Sequence, residues 1–103
     1  MNADDYYGIY LKAEDVKQEV EVTVKAVSLE TIDNDDKIVL ETNELKKALV
    51  LNKTNKDRLK EQFGTSETDN WTGKKFTLTT ETVPYKGDMV PALRVKPKQA
   101  VVV

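Results

Sequence analysis

Six side chains carry the binding chemistry this sequence offers: Lys37, Lys46, Lys47, Tyr85, Lys86 and Arg94. Ammonium and guanidinium groups answer phosphates. A tyrosine beside a lysine offers a flat face on which a base stacks, for about 1–3 kcal/mol per base. Together these are the groups that a single-stranded nucleic acid needs from a protein. The competing reading is that Tyr85 packs on Pro84 and the lysines only discourage strands from associating edge to edge. Trp71 could also stack a base. Its place at the entrance to a strand, beside Gly73, favours covering the end of a core near Phe63.

Catalysis has less to work with. The chain contains no histidine and no cysteine, so the commonest general base, the Ser–His and Cys–His pairs and thiolate metal sites are all missing. No carboxylate pair can be placed in one cleft. Gly64, Gly73 and Gly87 do not form a phosphate-cradling loop. The run Asp33-Asn34-Asp35-Asp36 lacks the central glycine and closing glutamate of a calcium loop and reads as an acidic hairpin turn. The chain is expected to be no enzyme and to use no cofactor or metal.

The elements that must position the six residues read as mainly β. Val20, Val22 and Val24 alternate with Glu19, Glu21, Thr23 and Lys25, the period of a half-buried strand. At 26–29 the phase changes, as a bulge would make it, so Val27 and Leu29 are expected to take over the apolar face. A turn follows over 31–36, then a strand at 37–42, a tight turn at Asn43-Glu44 and a strand at 46–51. Asn52 or Thr54 caps a helix over 55–63, with Leu59 and Phe63 on one face and Gly64 as its left-handed stop. A polar loop leads through Trp71 into a strand at 74–82. A loop over 83–89 leads to the last strand at 90–96, where Pro91 requires an edge. Leu11 and Val16 are expected to plug the end of the core. Tyr6, Tyr7 and Tyr10 are expected to pack their rings with their hydroxyls wet.

Three strands, one helix, then two strands is the order of the oligonucleotide/oligosaccharide-binding (OB) fold. The expectation is therefore a five-stranded OB-like Greek-key barrel with its helix between strands three and four. In such a barrel the second and third strands bind ligand, bounded by the loops that join strands one to two and four to five. The six residues above are those the order brings there. At 103 residues the chain is one domain, 1–103, with a lead-in at 1–10 and a flexible tail at 97–103.

Charge is divided along the chain. Up to Asn43 four lysines face eleven acids, a net −7; from Glu44 on, twelve cations face seven acids, a net +5. A split of this kind suits an interaction face, and it also arises from ordinary solvated surfaces. Apolar runs are too short to span a membrane and the first residues do not resemble a signal peptide, so a cytoplasmic location is expected.

The segments Leu49-Val50-Leu51-Asn52-Lys53-Thr54-Asn55, Phe63-Gly64, Trp71-Thr72-Gly73-Lys74 and Pro91-Ala92-Leu93-Arg94-Val95 together resemble a family of small bacteriophage proteins. Leu11-Lys12-Ala13-Glu14-Asp15-Val16 is similar to that family's start. The family resembles OB-fold single-stranded-DNA-binding proteins of phage replication modules. The resemblance implies single-stranded DNA as partner, with other replication or phage proteins beside it. Homo-oligomerisation stays open. The alternative on the same fold is a protein–protein adaptor, with Val101-Val102-Val103 adding a strand to a partner.

Overall fold

The longest strand organises the chain. The computed structural model describes residues 10–97, so the expectations for Tyr6, Tyr7 and the 98–103 tail lie outside it. Strand β1 spans Val20–Ile32, β2 Asp35–Thr42, β3 Leu49–Val50, β4 Lys75–Tyr85 and β5 Asp88–Val95. One helix, α1, spans Lys53–Phe63, with single 3-10 turns at Ala13–Asp15 and Thr68–Asn70. The strands form one antiparallel sheet in the order β3-β2-β1-β4-β5. Strand β1 serves both halves. Its first part pairs with β4, from Val20↔Leu78 to Thr23↔Lys75, and the rest pairs with β2. The register shifts between Val24 and Ala26, leaving Lys25 as the extra residue. A bulge bends its strand, and here it sits where β1 changes partner.

Several expectations change. The 31–36 turn contracts to Asp33 and Asn34, both at positive φ (52° and 68°), in a two-residue hairpin. The 83–89 loop contracts to Lys86-Gly87 (49° and 84°), so Tyr85 and Asp88 are paired strand residues. Strand three holds only Leu49 and Val50, and 43–48 is a loop. After the bulge Val27 packs on the core, as expected, but Leu29 is 69% exposed. It lies near the hairpin tip, beyond the reach of the core residues.

The core gathers Val22, Val24, Leu40, Leu49, Leu59 and Phe76 from four strands and the helix. Val16 and Leu11 close it from the N-terminal side. Trp71 is 1% exposed. Its Nε1 donates to the Thr65 carbonyl at 3.0 Å, and its ring meets Phe63 edge-on at 5.7 Å. A buried indole that finds an acceptor and an aromatic neighbour is a packing residue.

The sheet is open. A closed barrel requires β3 and β5 to pair, and among the described residues they do not. Helix α1 occupies the outer edge of β5 instead. In a two-residue hairpin the residues flanking the turn form a hydrogen-bonded pair. That puts the amides and carbonyls of Asp88, Val90, Ala92 and Arg94 toward β4, and those of Met89, Pro91, Leu93 and Val95 outward. Asn55, 2% exposed, takes up two of the outward groups. Its Oδ1 accepts from the Val95 amide at 2.9 Å and its Nδ2 donates to the Leu93 carbonyl at 3.1 Å. Arg58 then donates to the Val95 carbonyl at 2.9 Å and Gln62 to that of Lys96.

The helix begins as its sequence requires. Asn52 Oδ1 accepts from the Asn55 amide at 2.8 Å, and Gly64 ends the helix at φ 72°. Thr54 takes no part in the cap. Removing Asn55's side chain strands the buried Val95 amide, worth about 1–3 kcal/mol when left unmet, and takes one of two donors from the Leu93 carbonyl, which keeps Arg94, for about 1 kcal/mol more. Asn55→Ala should therefore cost about 3 kcal/mol in urea unfolding, and Asn52→Ala, a lost cap, only about 1 kcal/mol. Equal costs would show that the helix does not hold β5.

Candidate nucleic-acid interface

The outer face of the β1–β2 half carries a depression of about 880 Å³, rimmed by the 43–48 loop. Lys25, Lys46 and Lys47 line it together with Tyr10, Glu30 and Glu41. Lys25 is there because the bulge makes it the extra residue of β1. Tyr10 is there because its backbone bridges to Ala48 in parallel, with the Leu11 amide on the Ala48 carbonyl at 2.7 Å. The Tyr10 hydroxyl donates to Glu30 at 2.9 Å.

Two carboxylates fix the rim. Strand β2 ends at Thr42, so Thr23 of β1 has no β2 residue opposite it. Glu44 fills the gap: one oxygen accepts from the Thr23 amide at 2.6 Å and the other from its hydroxyl at 2.8 Å. Asp15 accepts from the Lys12 amide at 2.8 Å and pairs with Lys47 at 3.3 Å. Lys47 is thereby partly neutralised, whereas Lys46 and Lys25 make no ion pair among the described residues.

Tyr85, Lys86 and Arg94 belong to the β4–β5 hairpin. Beyond Leu78 this hairpin runs past the end of β1 as a two-stranded arm. Tyr85 is 59% exposed at its tip, and the Lys86 Nζ lies 5.3 Å from the ring centroid, a cation–π contact. Arg94 shares the face of Tyr85 but lies opposite Thr79, about 20 Å down the ladder at ~3.3 Å per residue. Its guanidinium donates to the neighbouring Leu93 carbonyl.

Lys37 pairs in register with Glu30 and lines a second, smaller depression next to Lys53 and Lys56. The six sequence-derived residues thus fall into two pairs, Lys46 with Lys47 and Tyr85 with Lys86, with Lys37 and Arg94 set apart. Lys46 and Lys47 were expected to begin the third strand, and they do not. They stand on the loop before β3, held there by Glu44 and Asp15. The sequence reading missed Lys25 and Tyr10 as site residues. The phase change at 26–29 carried the signal for Lys25. Among the described residues no helix is long and apolar enough to cross a membrane.

Comparisons with protein-family models, curated proteins and solved structures each find no match.

The carboxylates set a pH dependence. The Thr23 amide, and then its hydroxyl, hold Glu44 below its ordinary pKa. The Lys12 amide, and then Lys47, do the same for Asp15, and the Lys53 hydrogen bond does so for Asp57. A carboxyl whose native pKa is depressed adds stability that is present above its unfolded value and lost as pH falls through the native one. The urea midpoint should hold from neutrality to about pH 5 and decline below about pH 4, the ordinary carboxyl range. Glu44→Gln cannot titrate and should make the decline shallower. An unchanged acid limb would mean that Thr23 does not hold Glu44.

Proposed function

We propose that this chain binds single-stranded nucleic acid, DNA in the first place, as a non-catalytic protein built on an open OB-like fold. The observation that carries the reading is the tip of the β4–β5 arm. There a tyrosine ring that ends β4 is 59% exposed, with the ammonium of Lys86, the first residue of the two-residue turn, over it. A base stacks on the ring, and the ammonium meets the adjoining phosphate. The depression beside β1 and β2 supplies the track for the backbone, with Lys25 and Lys46 in no ion pair among the described residues. Glu30 and Glu41 in the same depression keep its net charge small, so stacking carries much of the affinity and salt dependence stays modest.

The fold supports this reading through its strand order and its shared, bulged first strand. In an OB barrel the first strand likewise joins both halves, and the helix lies between the third and fourth strands. On this reading β3 and β5 are the two strands that a barrel would bring together, with α1 standing at the β5 edge. From the resemblance of residues 49–55, 71–74 and 91–95 to small phage proteins, we propose a phage replication module as the setting of this activity. A cytoplasmic setting and replication proteins as further partners follow from that placement.

Fluorescence anisotropy with a single-stranded oligonucleotide at several salt concentrations tests the reading. Tyr85→Ala should weaken binding by about 1–3 kcal/mol, roughly 5- to 150-fold, and leave the salt slope unchanged. Lys86→Ala should lower the slope by about 0.7, one phosphate contact on a single strand. Both variants should keep the wild-type unfolding midpoint within about 0.5 kcal/mol, because the two residues are exposed. If the wild type shows no salt-dependent association, the adaptor reading takes over. The exposed Leu29 and Met89 would then be its contacts.

A further inference from the structure

Where β2 begins and α1 starts, the surface holds a second depression of about 280 Å³. Ile38 and Leu51 lie against it, and Lys37, Lys53 and Lys56 surround it, with Asp36 the single acid that lines it among the described residues. One amide of the helix start is already taken, since Asn52 caps the Asn55 N–H. The depression presents ammonium groups, brought from a strand and from a helix. Lys53 is answered by Asp57 at 3.0 Å. Lys37 and Lys56 make no ion pair among the described residues. Asp57 senses the local field: after the Lys53 hydrogen bond, the charges of Lys53, Lys56 and Lys60 hold its carboxyl below the ordinary range. Like charges gathered at one place repel, and an anion lying between them relieves that repulsion.

The two depressions are neighbours. Lys37 lines the smaller one and Glu30 the larger, and these residues are cross-strand partners in β1 and β2. A polyanion leaving the larger depression across this row meets Lys37 first and Lys56 next. The path on the arm side is different in kind, because Tyr85 offers stacking with one ammonium beside it.

We propose, resting on the nucleic-acid reading above, that the backbone of the bound strand leaves the larger depression over the Lys37–Glu30 row and seats phosphate between Lys37 and Lys56. One end of the strand is then held by base stacking on the arm and the other by phosphate contacts beside α1. The ligand chemistry is a phosphodiester of a polynucleotide, not a free anion.

The test compares the wild type, the double variant Lys37→Gln/Lys56→Gln and the control Lys74→Gln/Lys75→Gln. The control removes the same charge elsewhere. Each is titrated with a long and a short oligothymidylate, about 16 and about 4 nucleotides, across a salt series. With the long strand, the Lys37/Lys56 variant should lower the slope of log affinity against log salt by about 1.4, two contacts at ~0.7 each. The control should not change it. Short-strand binding should be equal in all three proteins. Trp71 fluorescence reports that each variant is folded.

A wild type that binds while the Lys37/Lys56 variant keeps its slope overturns this path and leaves the nucleic-acid reading standing. An equal loss in the control also overturns it, because the effect is then one of net charge. Displacement of the long strand by inorganic phosphate at constant ionic strength makes the depression a free-anion site and overturns it as well. A wild type that binds neither strand removes both readings.

Discussion

The carboxamide of Asn55 is the joint between the helix and the sheet. A strand at the edge of a sheet leaves every second residue's amide and carbonyl unmet. On β5 those residues include Leu93 and Val95, whose outward groups lie at the edge of the core. One amide side chain supplies an acceptor to the Val95 N–H and a donor to the Leu93 carbonyl, as a residue of a neighbouring strand would. Burial makes the substitution effective, since water does not compete for either bond at a residue 2% exposed. The position of α1 follows from it. Leu59 is then carried into the core, Arg58 reaches the Val95 carbonyl on the same edge, and Gln62 reaches the Lys96 carbonyl just past the strand's end.

The same device recurs at the other discontinuity in the sheet. Strand β1 turns from β4 to β2 around its bulge, and Thr23 lies where neither ladder is continuous on the β2 side. The Glu44 carboxylate takes the Thr23 amide there, and the Asn43 amide takes its carbonyl. Asn55 and Glu44 are thus side chains standing in for missing strand. Both stand-ins shape the surface on which binding is proposed. Glu44 holds the loop that carries Lys46 and Lys47. Asn55 lies in the first turn of the helix whose Lys56 borders the smaller depression.

Much of this was legible in the chain, for identifiable reasons. Val20, Val22 and Val24 alternate cleanly because that part of β1 has one face in the core. The helix announces itself through Asn52 and Gly64, and Trp71 through its place at a strand entrance. The hairpins were misjudged because their turns lack the usual Asn-Gly. Asp33-Asn34 and Lys86-Gly87 adopt positive φ without that pattern, so the flanking strand residues read as loop. Strand three was overextended because its apolar run Ala48-Leu49-Val50-Leu51 fits a strand. What shortens it are contacts distant in sequence, from Thr23 and Asp15. Asn55 could not be recognised at all, since a polar residue early in a helix ordinarily faces water. The candidate site was legible as residue types but not as an arrangement. Alternation tells which face of a strand Arg94 occupies, but only the register shows it about 20 Å from Tyr85.

The two prolines of the arm bear on what the arm can bind. Pro84 and Pro91 both occupy positions outside the hydrogen-bonded pairs of the β4–β5 ladder. Each therefore sits where its nitrogen faces away from the partner strand, so neither costs the hairpin a bond. Pro84 removes a donor from the outer edge of β4 and Pro91 one from the outer edge of β5. An incoming strand would meet a missing N–H next to the tip on the β4 side and in mid-strand on the β5 side, which opposes strand addition there. An arm so protected interacts through its side chains. Those at its tip are an exposed ring, an ammonium held over it and the exposed Met89 on the opposite face. An exposed ring beside a cation suits a planar ligand better than an extended peptide. The backbone chemistry of the arm and the side-chain chemistry of its tip thus favour the same class of partner.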